Sequence, residues 1–85
     1  MQSIRKEDEN TVNRERRKRL TKAYELIEET KAILKEVKSE ETEAYDNLPE
    51  NFQNGDRGEE MQSCIEMLDE VYNYLDDASS VVDQI

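Results

Sequence analysis

A seven-residue repeat of apolar side chains in the last third of the chain limits what this sequence can fold into. Two lines of residues carry the repeat: Met61, Leu68, Leu75 and Val82, and, three positions further on, Cys64, Val71, Ala78 and Ile85. Apolar residues at this spacing line one side of an α-helix and pack against a neighbouring helix. The apolar face is also wider than the seam of a two-stranded coiled coil, because Ile65, Met67, Tyr72, Tyr74 and Val81 broaden it. Tyr72 and Tyr74 cannot both point into one groove. One of these tyrosines is therefore predicted to lie on a second surface.

A second stretch with helical periodicity precedes this repeat. Its apolar residues are Leu20, Ala23, Tyr24, Ile27, Leu34, Val37, Ala44, Tyr45 and Leu48. Pro49 disfavours the helical conformation at the residue before it, and Asn54-Gly55 is a turn signal. Asp56 followed by Glu59 is typical of a helix N-cap with its capping partner. The sequence predicts helix 1 over about residues 20–47, a loop over 48–56 and helix 2 over about 57–85.

These elements predict an all-α fold, an antiparallel two-helix hairpin that resembles a coiled coil. If the helices fold back around the loop, the numbers of facing residues should sum to about 105, which places Val37 near Leu68. The predicted helix–helix seam consists of Leu20, Ile27, Leu34, Val37, Met61, Leu68, Val71, Leu75 and Val82. A hairpin of this size has a small core. We therefore expect homodimerisation to complete a four-helix bundle, or a longer partner helix to cover the apolar face.

Residues 1–19 are predicted to form a basic N-terminal arm, as a helical extension or as a frayed segment. Its dense cluster of positive charge consists of Arg14, Arg16, Arg17, Lys18 and Arg19. Residues 1–22 hold eight Lys/Arg and four Asp/Glu, whereas residues 23–85 hold four and eighteen. An acidic body repels nucleic acid, so direct nucleic-acid binding is not expected. Docking of the arm on the acidic helix of a partner is at least as plausible as its contact with nucleic acid.

Helix 2 carries two stripes of carboxylates. Asp69, Asp76 and Asp83 repeat every seven residues, and Glu66, Glu70 and Asp77 make a second line beside them. One interpretation is a solvated outer face that only keeps the protein soluble. The other is mimicry of nucleic-acid phosphates, in which the stripes occupy the Lys/Arg groove of a basic protein partner.

The residue types that carry catalysis are scarce in this chain. There is no histidine and no glycine-rich phosphate loop, so we expect neither an enzyme nor a bound metal or cofactor. Cys64 has acidic and apolar neighbours, which favours a small buried hydrophobe over a reactive thiol. A single cysteine cannot form an internal disulfide, and no apolar run is long enough to span a membrane. These features favour a cytoplasmic protein.

The connection between the two helices contains a specific motif. Residues 43–53 read E-A-Y-D-N-L-P-E-N-F-Q, and Arg57-Gly58-Glu59-Glu60-Met61 follows. This pattern resembles a family of short, acidic, helical proteins of phages and prophages, over about residues 30–85. The resemblance implies a hairpin connection in which Phe52 plugs the end of the seam, and a location in the cytoplasm of a bacterial host. The basic arm departs from the family pattern.

The expected function is non-enzymatic binding of a protein partner, with a basic surface as the expected target. The phage resemblance implies an acidic inhibitor of a host nucleic-acid-handling or defence protein, similar to an anti-CRISPR protein. The alternative is a structural or assembly module that acts by forming homo-oligomers or by binding another phage protein.

Overall fold

A computed structural model describes the backbone from residue 6 to residue 85 and the side chains from residue 12. It consists of α1 (Lys6–Asp46), the short helix α2 (Glu50–Gln53) and α3 (Asp56–Asp83). The two long helices pack against each other as an antiparallel hairpin in a rod of 73 × 19 × 17 Å. The all-α hairpin predicted from the sequence is confirmed.

The first helix is a single element of 41 residues that includes most of the basic arm. It contains neither glycine nor proline, the residues that most often break a helix. From residue 6 onward the arm is therefore a helical extension and not a separate segment. The prediction for residues 1–5 lies outside the described residues. The helix ends at Asp46, within one residue of the predicted position.

The connection is held to α1 by one glutamine side chain. Pro49 precedes α2, where its missing N–H costs nothing because the first amides of a helix have no partner. At the other end of α2, Gln53 Nε2 donates to the carbonyl oxygens of Tyr45 at 3.0 Å and Asp46 at 3.4 Å. These are carbonyls that the end of α1 leaves without helical partners. The expectation that Phe52 plugs the seam is wrong, since its side chain is 52% exposed and Gln53 takes the inward position.

The third helix begins at Asp56 with Gly55 as its N-cap, and no side chain caps it. The prediction that Asp56 would be the capping residue is wrong by one position. Asp56 and Glu59 instead lie in the first turn, where their negative charges interact favourably with the positive end of the helix dipole. Gly58 is buried against α2: a Cβ built there would lie 2.0 Å from the carbonyl oxygen of Gln53. This close approach explains why a glycine occupies a helical position.

The seam of α3 differs from the prediction in one of its two lines. Met61, Leu68, Leu75 and Val82 are half-buried, as expected. The second line is Gly58, Ile65, Tyr72 and Ser79, one position away from the predicted line of Cys64, Val71, Ala78 and Ile85. In α1, Leu20, Ile27 and Leu34 lie in the seam, whereas Val37 and Val71 are each 39% exposed and lie at its edge.

The register between the helices is also shifted. Asp76 pairs with Lys31, Asp69 with Lys38 and Gln62 with Tyr45, so the numbers of facing residues sum to 107 instead of 105. Among residues 12–85 no hydrophobic side chain is fully buried, and the buried positions of the seam are Lys31, Gly58 and Ser79. The hairpin thus has a half-exposed apolar seam interrupted by a polar layer.

Replacing Gly58 with alanine is expected to destabilise the hairpin, although alanine favours helix formation by about 1 kcal/mol over glycine. The added Cβ would force α2 away from α3 and break the hydrogen bonds of Gln53 to α1. Thermal unfolding followed by circular dichroism should show a lower Tm, because overpacking of this kind costs about 1–3 kcal/mol.

Gly55→Ser is the matched control for this substitution. A Cβ at Gly55 meets its nearest atom at 3.5 Å, an ordinary contact, and serine is a good N-cap. Its Tm should be unchanged or raised. An unchanged or raised Tm for Gly58→Ala as well would contradict the packing of α2 on α3.

Candidate interaction surfaces

A charged side chain, Lys31, lies at the centre of the seam and is only 8% exposed. Its Nζ lies 2.7 Å from Asp76 Oδ1 on α3 and 3.0 Å from Glu28 Oε2 one turn earlier on α1. The ammonium also sits 5.3 Å from the centre of the Tyr72 ring, within cation–π range. Ser79, 4% exposed, donates its hydroxyl to Glu28 Oε2 at 2.7 Å. These five residues form a polar layer whose buried groups are paired.

The pairing shifts the ionisation of two groups in the polar layer. Hydrogen bonds to Asp76 and then to Glu28 raise the pKa of Lys31 above its ordinary value, so this amine stays charged. The pKa of Glu28 is lowered, first because Ser79 donates a hydrogen bond to the carboxylate and second because Lys31 does. Both shifts favour the charged forms, and each partner stabilises the other.

A second ion pair lies two turns along the same side of the hairpin. Lys38 Nζ donates to Asp69 Oδ1, which repeats the Lys31–Asp76 pair at a spacing of seven residues on both helices. The side formed by Glu28, Lys31, Lys38, Asp69, Asp76 and Ser79 is named the ion-pair side below. Asp83, the third member of the stripe, lines a shallow pocket with Arg17 and Tyr24.

The carboxylates of the stripe Asp69, Asp76 and Asp83 are exposed, but the stripe is not only a solvated face. Two of its three carboxylates pair with lysines of α1 and hold the helices in register. The sequence does contain a signal for this arrangement, because Lys31 and Lys38 are seven residues apart, as are Asp69 and Asp76. Neither lysine was predicted as a functional residue. The other stripe, Glu66, Glu70 and Asp77, is exposed.

On the opposite flank of the seam, both helices present apolar residues to solvent. They are Ala23, Leu26, Thr30, Ile33, Val37 and Ala44 on α1, and Cys64, Met67, Val71, Tyr74, Ala78, Val81 and Ile85 on α3. Ala23 and Cys64 are half-buried, and Thr30 is the one polar member. Each set follows alternating steps of three and four residues, apart from one gap in α1 at Glu40. In an antiparallel pair the equivalent flanks of the two helices face the same side of the hairpin. We name this surface the apolar strip.

The structure places Tyr72, Tyr74 and Cys64, whose surfaces the sequence did not determine. Tyr72 packs in the seam beside Lys31, while Tyr74 is 64% exposed, so the two tyrosines lie on different surfaces. Tyr74 donates its hydroxyl to Glu70 Oε1 at 3.0 Å, and this hydrogen bond raises the pKa of Tyr74. Cys64 is half-buried at the edge of the strip, between the seam and solvent.

The basic residues Arg14, Arg16, Arg17, Lys18 and Arg19 lie on the exposed surface of α1 beside the end of α3. The guanidinium of Arg17 donates to the carbonyl oxygen of Ile85, and Lys18 lies 3.8 Å from Glu15 within α1. Arg16 and Arg19 line one shallow depression with Leu20. Arg16 and Arg19 continue the spacing of the apolar strip, since each lies seven residues before one of its members.

Within the described residues there is no group of side chains arranged to hold a metal ion. In the same part of the chain, no helix is long and apolar enough to cross a membrane. Comparison with protein families, with curated proteins and with solved structures finds no match to this chain. The phage-family resemblance therefore stays a prediction from the motif.

Asp76→Asn is expected to lower the Tm, because it leaves the nearly buried Lys31 without its closest carboxylate. A sequence-based assignment of Asp76 to a solvated face predicts no change. Thermal unfolding should be compared with that of Asp77→Asn, which removes the same charge from the exposed neighbouring position. Equal Tm values for the two variants would show that the polar layer does not stabilise the hairpin.

Glu28→Gln is expected to make the Tm depend less on pH in the acidic range. Because the folded-state pKa of Glu28 lies below its ordinary value of 4.5, the carboxylate stabilises the folded state above that pH. The contribution is lost as the pH falls through the lowered folded pKa. The Tm difference between wild type and variant should therefore be largest near neutral pH and shrink on acidification. Glu29→Gln removes the same charge from the exposed neighbouring position, outside the polar layer, and is the matched control.

Proposed function

We propose that this chain is a non-catalytic protein-binding module whose apolar strip packs against another protein. One observation carries the proposal: no hydrophobic side chain within residues 12–85 is fully buried, while both helices expose apolar residues along one flank, interrupted on α1 only at Thr30 and Glu40. Exposed apolar patches of this kind mark protein interaction sites. Burial against a partner would complete the core that the hairpin lacks.

The polar layer adds support for coupling between folding and binding. Lys31 and Ser79 occupy two seam positions that a self-sufficient hairpin would fill with aliphatic residues. Buried ion pairs stabilise a fold less than apolar packing of the same volume. Burial of the strip against a partner would supply the stability that the seam lacks, because Leu26, Ile33 and Met67 are each about half exposed.

A second candidate function is inhibition of a host nucleic-acid-handling or defence protein by an acidic phage-type protein. The observation that favours it is the exposed line of Glu66, Glu70 and Asp77, which lies apart from the ion pairs. The pairing of Asp69 and Asp76 with lysines weakens this candidate, since those carboxylates are already partly neutralised. An assembly module that binds itself or another phage protein is a case of the first proposal.

Two sets of substitutions separate these candidates. Ile33→Ser with Met67→Ser changes the strip, and Glu66→Gln with Asp77→Asn neutralises the exposed stripe without changing Glu70, which accepts a hydrogen bond from Tyr74. The tagged chain is used to capture binding proteins, including an untagged copy of itself, from a bacterial host lysate at low and high salt. If the strip is the binding surface, the strip variant should lose at least tenfold in binding. Burying side chains of this size stabilises by about 1.5–3 kcal/mol, and about 1.4 kcal/mol is tenfold.

Binding through the strip should also persist at high salt, because apolar burial is not screened. The stripe variant should bind like wild type. Loss of binding in the stripe variant and at high salt, with the strip variant unaffected, would refute the first proposal and support acidic mimicry.

A further inference from the structure

The apolar strip carries opposite charges at its two ends. Toward the start of α1 it continues into Arg16 and Arg19, within a run of five basic residues between positions 14 and 19. Toward the connection it ends near Glu60, and residues 40–60 hold eight carboxylates and one arginine. This second region, named the acidic loop end, includes Asp46, Glu50, Asp56 and Glu59. The rod therefore has a positive end and a negative end on either side of an apolar surface.

We propose that the strip is covered by a second copy of this chain, antiparallel to the first, with each basic arm on the partner's acidic loop end. The proposal rests on the proposed function, because it names the protein that covers the strip. On α1 the strip runs from Ala23 to Ala44, and the middle of that stretch is Ile33. A two-fold axis near Ile33 superimposes the strip on itself with full overlap.

Charge selects this orientation over the parallel one. With the axis near Ile33, residues 14–19 of one copy lie at the height of residues 47–52 of the other, next to Glu50 and the first turn of α3. Arg16 and Arg19, the two arm residues in line with the strip, then meet carboxylates at each end of the bundle. In a parallel dimer the two acidic loop ends would lie side by side, as would the two basic arms, and like charges would repel.

The size of the strip fits a dimer of moderate affinity. Twenty-one residues of helix rise by about 30 Å, and the two helices side by side are roughly 20 Å wide. The flat projection is therefore roughly 600 Å² on each copy, somewhat below the ~800 Å² typical of a stable interface. The arms extend the contact beyond the strip. Thr30, the polar member of the strip on α1, already donates its hydroxyl to the Leu26 carbonyl at 2.8 Å and can be covered without losing that hydrogen bond.

Disulfide cross-linking tests the orientation. In a Cys64→Ser background, Ile33→Cys places the new thiol near its own copy across the axis, so mild oxidation should give a cross-linked dimer. Ala44→Cys, in the same background and on the same strip, lies about 30 Å from its copy in the antiparallel arrangement and should stay uncross-linked. Equal cross-linking of the two variants, or none in Ile33→Cys, would overturn the proposed arrangement.

A charge exchange tests the arms. One variant carries Arg16→Glu and Arg19→Glu, and a second carries Glu50→Arg and Glu60→Arg. Each alone should dimerise at least tenfold more weakly at low salt, measured by sedimentation equilibrium. Mixed in equal amounts, the two should form a heterodimer near wild-type affinity, because both arm–loop contacts again join opposite charges. Failure of the mixture to recover would refute the arm contact.

The outcomes for the two proposals are separable. If the strip variant Ile33→Ser, Met67→Ser loses a captured host protein while the wild-type chain sediments as a monomer at micromolar concentration, the strip binds protein and the homodimer is wrong. If the strip variant dimerises like wild type, both proposals fail.

Discussion

Placement of the Lys31 amine in the seam is the constraint on which the rest of the structure depends. A nearly buried ammonium is tolerated only where carboxylates reach it, and here Asp76 and Glu28 do so at 2.7 and 3.0 Å. A slip of one residue between the helices would separate these groups. A slip of seven residues would preserve lysine–aspartate pairs but would remove Ser79 from Glu28. It would also require the connection to change, because Gln53 binds the end of α1 while Gly58 packs on α2.

The same constraint divides the hairpin into two unlike sides. Register is set on the ion-pair side, where Lys31 and Lys38 meet aspartates of α3. Apolar residues that would otherwise deepen the seam lie on the other flank, as the exposures of Val37 and Val71 show. The hairpin therefore gains a defined pairing of its helices at the expense of an apolar core, and its remaining apolar surface is exposed.

The sequence predicted the fold well because helix periodicity and the proline–glycine connection are local signals. The two helices and the half-buried line of Leu68 and Leu75 followed from spacing alone. The second line did not, because Cys64, Val71 and Ala78 are as apolar as a seam requires and Ser79 is not. Only the pairing of Ser79 and Asp76 with residues of α1 rotates the helix toward the observed face. That is long-range information, absent from the local pattern. For the same reason, the local pattern indicated that Asp76 is exposed but not that it pairs with Lys31.

The ion-pair side also changes how charge is distributed over the molecule. Residues 23–85 contain four cationic side chains, and two of them, Lys31 and Lys38, are engaged with exposed aspartates of α3. The body thus has little positive charge left to offset its exposed carboxylates, and the basic arm holds most of what remains. Contacts between arm and loop end are exposed and weaken with salt, whereas burial of the strip does not. In the proposed dimer, charge therefore chooses the orientation and apolar burial supplies most of the affinity.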